Sequence, residues 1–327
     1  MLVDNHNRTI NYLRLAVTDR CNLRCNYCMP SEGINFAEND KLFTIDELSR
    51  LGEILVSQGI NKIRITGGEP FVRKDLMVLL RNLSKMKGLN EISVTTNATL
   101  IGPYIDELKA LGIKNINVSM DAITKETFEK ITRRNQYEIV HANILRLITE
   151  GFNVRINFIA LEDQNTDDII PMLDLAKHFD VCIRFLEEMP FNGGSKNFEN
   201  ITWDYKHILD HIAKKYPNYY KLESPKTSTS INYKIPGFEG TFGVIPSFSR
   251  TFCGSCNRLR ISATGDVITC LYAKASANLL SILRKNDSEK SIKESIVKAI
   301  GSRAKTGFDA QKQYKGVFSN SMTSIGG

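Results

Sequence analysis

The sequence predicts an α/β fold: a partial (β/α)6-type TIM barrel over residues 1–190, then a smaller α+β region over 191–327. Three observations carry this expectation. From Tyr12 to Met189 short β-rich runs alternate with helical stretches, the order of a parallel sheet covered by helices. The strands alternate polar and apolar residues, so each has one face for the helices and one polar face. After Met189 the repeating order stops.

Taken in order, the strands are expected at 12–17, 62–66, 91–96, 115–119, 154–160 and 182–186, with helices at 44–58, 75–85, 104–111, 139–150 and 167–179. The first helix opens on Thr44 three residues before Glu47, the spacing of a capping box. Lys62 and Arg64 oppose Ile63 and Ile65. Ser93, Thr95 and Asn97 oppose Ile92 and Val94, and Asn117, Ser119 and Asp121 oppose Ile116, Val118 and Met120. Arg155 and Asn157 oppose Val154, Ile156 and Phe158. Barrels of eight strands fill their interior with branched apolar side chains, so this pattern predicts a polar lumen that holds a polar ligand. Beyond Met189 the chain reads as a Gly/Asn-rich loop at 191–200, a helix at 203–216 and a polar linker at 223–230. Short strands come next at 241–246, 259–262 and 267–270, then a helix at 276–298 and a mobile polar tail at 319–327.

The chain has 327 residues, 42% of them hydrophobic, enough for a large core. Its 43 Lys and Arg against 36 Asp and Glu leave a charge of +7, too dilute for nucleic-acid binding but compatible with an anionic small substrate. The polar N-terminus has no secretory apolar stretch, and no apolar run approaches the roughly 20 residues that span a bilayer. A soluble cytoplasmic protein is expected. Seven cysteines in a reducing compartment point to metal ligation rather than disulfides.

Cys21, Cys25 and Cys28 come directly after the first strand. Three thiolates can hold three irons of a four-iron cluster and leave the fourth open; the alternatives are zinc, which lacks a fourth ligand nearby, or buried thiols. Gly67-Gly68-Glu69-Pro70 ends the second strand, where glycines admit a close ligand and Glu69 offers a carboxylate to an ammonium group. A second set, Cys253, Cys256 and Cys270, is a cluster or, with His207 and His211, a zinc site. Arg258 and Arg260 alternate with Leu259 and Ile261, and such forks suit phosphate or a purine edge. Arg14, Lys62 and Arg64 call for an anionic ligand or for pairing with Asp121, Glu187 or Glu188. Cys182 reads as an inert core thiol.

Cys-x3-Cys-x2-Cys followed by a Gly-Gly-Glu-Pro turn resembles the radical S-adenosylmethionine enzymes. The strings from Thr18 to Pro30 and from Phe252 to Arg260, with the terminal Ile325-Gly326-Gly327, resemble the MoaA family of GTP 3′,8-cyclases in molybdenum cofactor biosynthesis, over essentially the whole chain. The resemblance implies two [4Fe-4S] clusters, one on each cysteine set. It implies S-adenosylmethionine beside Tyr27, Gly68, Ser119 and Met189 as the source of a 5′-deoxyadenosyl radical. It implies GTP held by Arg14, Lys62, Arg64, Thr95, Arg155, Arg258 and Arg260, attacked at ribose C3′ and closed onto guanine C8. The Gly-Gly tail is expected to reach into the active site. An external reductant is implied, and a cyclic pyranopterin monophosphate synthase to take the product, with the enzyme a candidate homodimer. Two departures stand out: Arg155 replaces a lysine, and the tail lacks an arginine before its glycines.

Overall fold

The computed structural model of the chain describes residues 1–191, 201–285, 288–314 and 321–326. A short antiparallel hairpin, β1 (Leu2–Val3) and β2 (Thr9–Ile10), leads into β3 (Tyr12–Ala16). The barrel order begins with α1 (Ile45–Ser57), β4 (Lys62–Thr66), α2 (Leu76–Ser84), β5 (Glu91–Thr96), α3 (Ile105–Ala110) and β6 (Asn115–Ser119). It continues through α4 (Lys125–Thr132), α5 (Tyr137–Thr149), β7 (Asn153–Ala160), α6 (Ile169–His178) and β8 (Cys182–Glu187). All six predicted strands form, within a residue of the expected ends. The capping box at α1 is also made: Glu47 N–H donates to Thr44 Oγ1 at 3.2 Å, and Thr44 N–H to Glu47 Oε2 at 2.7 Å.

The remaining elements are α7 (Tyr205–Lys215), β9 (Tyr220–Lys221), β10 (Ile231–Lys234), β11 (Thr241–Ile245), β12 (Arg258–Ile261), β13 (Asp266–Ile268) and β14 (Ala277–Asn278). Among the described residues that follow, the helices are α8 (Leu279–Arg284), α9 (Glu289–Gly301), α10 (Gly307–Tyr314) and α11 (Met322–Ile325). The later strands belong to the same sheet as the barrel strands, in the order β14-β13-β12-β3-β4-β5-β6-β7-β8-β11-β10-β9. β12 adds in parallel to the free edge of β3 and β11 in parallel to that of β8, so the later segment extends both edges. The sheet stays open, because β12 and β11 do not pair with each other. It is nevertheless curved, since side chains from strands along its whole parallel stretch line one cavity.

Alternation decides which face is which. Leu13, Leu15, Ile63, Ile65, Ile156 and Phe158 are fully buried against helix residues such as Leu48, Leu51 and Leu79. The intervening polar residues face the lumen. Cys182 shares that lumen-side alternation with Arg184 and is half-buried, so it is not the core thiol expected. The helix expected at 276–298 is broken: Asn278 caps α8 through Ser281 N–H, and Ser288 caps α9 through Ser291 N–H. Each cap satisfies an open amide of a new helix start. Of the tail expected to be mobile at 319–327, the described residues 321–326 are packed instead, with Ser321, Thr323 and Ile325 buried. Of the expected loop at 191–200 only Phe191 lies within the described residues, and Gly327 lies outside them.

Candidate active site

The first cysteine loop leaves the C-terminal end of β3 and is anchored on both flanks. On one side Gly68 N–H donates to Thr18 O at 2.9 Å and Glu69 N–H to Arg20 O at 2.8 Å. A Cβ at Gly68 would lie 2.2 Å from Arg20 O, so only glycine permits this approach. On the other side Arg24 and Asn26 N–H groups donate to Thr132 and Ile131 carbonyls at the end of α4. Tyr27 hydroxyl donates to Asp121 Oδ2 at 2.7 Å. Burial pushes the Cys21 thiol up to about 12 and raises Cys25 and Cys28 as well.

Glu69 does not face the cavity as expected. Its carboxyl is fully buried and accepts from Thr96 Oγ1, Asn97 N–H and Phe71 N–H, which ties the loop after β4 to that after β5. Burial lifts it to about 7 against those hydrogen bonds. Gly67 and Gly68 line the cavity in its place. Asp121, lifted by burial to about 6, accepts from Tyr27 and from Ile159 N–H.

The second cysteine set lies at the opposite end of the strands. Cys253 and Cys256 precede β12, which runs parallel to β3, and Cys270 comes after β13, which runs antiparallel to β12. Arg258 donates to Cys256 Sγ from Nε at 3.4 Å and Nη2 at 3.3 Å, and Arg303 Nη2 does so at 2.8 Å. Burial alone would raise the Cys256 thiol, but Arg258 and Arg303 bring it down to about 6. Cys270 is raised by burial. His207 pairs with Asp204 at 2.9 Å on the exposed face of α7, and neither it nor His211 lines the cavity. The zinc alternative loses those two ligands. Among the described residues no three His, Cys, Asp or Glu side chains converge for a single metal ion. Three thiols around open space, each able to take its own iron, are the donor set of a four-iron cluster.

Both sets line one cavity of about 310 Å³, with Arg14, Arg64 and Arg260 between them. Of the predicted residues, Tyr27, Gly68, Ser119, Met189, Thr95 and Arg258 line it too. Lys62 and Arg155 do not. Lys62 pairs with Glu91, its cross-strand neighbour, at 2.9 Å, and Arg155 donates to Asn115 Oδ1 at 3.0 Å. Two of the anticipated carboxylate partners are engaged elsewhere: Asp121 by Tyr27 and Ile159, and Glu187 by the N–H groups of Tyr205, Phe248 and Ser249. Burial and the nearby Arg260 hold Arg14 well below its usual range, and burial and Arg258 bring Arg260 to about 10. Guanidiniums this close repel one another until an anion joins them. Thr66 Oγ1, Thr95 Oγ1, Asn157 Oδ1 and Arg184 Nε, all on this wall, are buried without a hydrogen-bond partner among the described residues. Such atoms fit a polar ligand.

Among the cations of the cavity wall that were missed in the sequence are Arg8, Arg184, Arg250 and Arg303. Arg184 obeys the alternation of β8 and was legible. Arg250 and Arg303 lie outside strands, where no periodicity marks them. The tail enters the same space, with Ser321 Oγ 3.5 Å from Cys28 Sγ and Gly326 O accepting from Arg260 Nη1 at 3.1 Å.

Residues 15–176 match the Radical SAM superfamily model and residues 181–308 the Molybdenum Cofactor Synthesis C model. The chain is 40% identical over 296 residues to "GTP 3′,8-cyclase" of Peptoclostridium acidaminophilum, covering 89% of this chain and 90% of that protein. It is 36% identical over 322 residues to "Molybdenum cofactor biosynthesis protein 1" of Homo sapiens, covering 98% of this chain and 49% of that one. The chain thus spans about half the length of the curated relatives of that name. Among solved structures, Streptococcus suis SuiB bound to S-adenosylmethionine superposes with a TM-score of 0.60 at 16% identity, over 88% of this chain and 69% of that one, a likeness of fold alone. The chain belongs to the radical SAM superfamily and, within it, to the family of proteins named GTP 3′,8-cyclase.

Proposed function

We propose that this protein is a radical S-adenosylmethionine GTP 3′,8-cyclase of molybdenum cofactor biosynthesis. One observation carries the reading: two three-cysteine sets line opposite ends of a cavity whose middle is crowded with guanidiniums. Cys21, Cys25 and Cys28 would hold one four-iron cluster, and Cys253, Cys256 and Cys270 a second. When bound, the first supplies the electron that cleaves S-adenosylmethionine reductively, and the second offers an open iron to the base of the nucleotide.

The chain's own residues do the rest. Gly67 and Gly68 bring bare backbone to the cavity beside Tyr27, Ser119 and Met189, a surface suited to S-adenosylmethionine. Arg14, Arg64, Arg258 and Arg260, with Thr95 and Arg184, face the remaining space; the triphosphate of GTP relieves their mutual repulsion and accepts hydrogen bonds from them. Lys62 and Arg155 leave that set because Glu91 and Asn115 hold them. The buried wall and the tail exclude water from the reacting atoms. The division at residues 190 and 191 separates the half that carries S-adenosylmethionine from the half that presents the second cluster. No helix among the described residues is long and apolar enough to cross a membrane. A cytoplasmic enzyme fed by an external reductant and passing its product to a cyclic pyranopterin monophosphate synthase fits this reading.

The test is anaerobic. Reconstituted protein with S-adenosylmethionine, dithionite and GTP should yield 5′-deoxyadenosine and a cyclised nucleotide in step, from about eight irons per chain. 5′-Deoxyadenosine without a cyclised nucleotide overturns the GTP assignment, and neither product overturns the radical reading.

A further inference from the structure

The two cysteine sets share a cavity but stand in opposite electrostatic surroundings. At the second set one sulfur meets two cations. Cys256 Sγ takes hydrogen bonds from Arg303 Nη2 at 2.8 Å and from Arg258 Nε and Nη2 at 3.4 and 3.3 Å. Cys253 Sγ takes one from Gly307 N–H, the first residue of α10, at 3.3 Å. A third guanidinium, Arg8, donates to Cys253 O at 2.9 Å and to the carbonyls of Ala304 and Lys305.

Arg303 is built into place. It is 4% exposed, and its Nη1 donates to Cys256 O at 3.1 Å. Asp4 binds Arg8 at 2.6 Å and lies 3.9 Å from Arg303, so one carboxylate is shared by two of the three guanidiniums. The surplus of positive charge remains at the cysteines.

Among the described residues no cation donates to a sulfur of the first set. Cys21 Sγ has Asn97 Nδ2 at 3.7 Å, and Cys28 Sγ has Ser321 Oγ at 3.5 Å with the tail amides of Met322 and Thr323, all neutral groups. Arg24, within the same loop, turns to the carbonyls of Cys21 and Leu23 instead of to sulfur. The carboxyls on this side, Glu69 and Asp121, are buried and accept from neutral donors.

Reduction adds negative charge to a thiolate-bound cluster, and donors and cations on its sulfurs stabilise that charge. Resting on the two-cluster reading under Proposed function, we propose that Arg258 and Arg303 make the cluster on Cys253, Cys256 and Cys270 the more easily reduced of the two. Arg303 acts here through Cys256, as a positioning residue.

Two chains isolate the comparison: C253S/C256S/C270S, which keeps the first set, and C21S/C25S/C28S, which keeps the second. Each is reconstituted anaerobically without S-adenosylmethionine or GTP, and iron and sulfide analysis reads about four irons in each. A chain that takes up none refutes the two-cluster reading itself, a result distinct from any order of potentials. Potentiometric titration monitored by electron paramagnetic resonance should half-reduce the second cluster at a less negative potential than the first. Equal potentials, or the reverse order, overturn the proposal.

Within the chain that keeps the second set, Arg303→Gln should shift the potential to more negative values, and Arg303→Lys should recover part of that shift. A potential unmoved by Arg303→Gln, or moved equally by both variants, removes Arg303 from the role. Arg258→Gln tests the same sulfur by a second donor, with the same expected direction.

Discussion

Gly68→Ala measures the contact on which the first cysteine loop depends. The added Cβ would stand 2.2 Å from Arg20 O, 2.5 Å from Arg20 C and 2.8 Å from Asp19 O. All three are backbone atoms, so no side chain can swing aside. The strand–loop junction must open, and with it the bonds from Gly68 N–H to Thr18 O and from Glu69 N–H to Arg20 O. Overpacking of this kind costs about 1–3 kcal/mol and each lost hydrogen bond about 1 kcal/mol, which together make about 3–5 kcal/mol. Gly254→Ala is the control: nothing lies within 4 Å of its added Cβ, although Gly254 sits beside Cys253. That change should stay within about 0.5 kcal/mol. Urea midpoints of the cluster-free chains give the difference, because bound metal spoils two-state unfolding. Iron content after reconstitution gives a second readout, with loss expected for Gly68→Ala alone. Matching midpoints and matching iron for the two variants would refute the claim that this close approach holds the loop.

The same geometry sets three further outcomes. Glu187 is fully buried and accepts from Tyr205 and Phe248 N–H groups and from both the N–H and hydroxyl of Ser249. Glu187→Gln turns an amide towards two of those donors and should cost about 3 kcal/mol in the urea midpoint; a loss under about 1 kcal/mol contradicts the account. Thr44→Ala removes the capping box of α1 and should cost about 1 kcal/mol by the same measurement. Glu69 titrates near 7 when folded against 4.5 as a free side chain, so the folded state binds its proton more tightly. Stability of the cluster-free chain should therefore fall as pH rises from about 4.5 to about 7, by about 3 kcal/mol from this group, and level off at higher pH. Glu69→Gln should flatten that part of the profile, and an unchanged slope would refute the assignment.

What the sequence disclosed depends on which forces act locally. Period-two alternation is written into each strand, so the lumen faces of Arg64, Thr95 and Ser119 were legible, as was the cap on α1. Lys62 obeyed the same alternation and still turned away, because the parallel register places Glu91 beside it. Alternation fixes a face, but the neighbour across the strand decides where a long cation ends. Glu69 was misread for a similar reason: the turn motif shows a carboxylate, while only the fold shows that Thr96 and Asn97 claim it. Arg250 and Arg303 lie outside strands and carry no periodic signal. Arg250 stands three residues before Cys253, but Arg303 is 47 residues from Cys256, and nothing in its local sequence announces that cysteine.

The pairing of β12 with β3 was also invisible, since its partners lie over two hundred residues apart, and yet it arranges the whole site. Because the two strands are parallel, the loop leaving β3 and the loop entering β12 fall at opposite ends. Arg260 comes into register with Arg14, which is in turn in register with Arg64, so three guanidiniums form a row across the sheet. The four residues of β12 rise about 13 Å, which separates the two cysteine loops by roughly the length of a nucleotide-sized ligand. An antiparallel β12 would have put both loops at one rim and carried its arginines out of that row. The single parallel register between β3 and β12 therefore decides that each cysteine set addresses a different end of whatever the arginines hold.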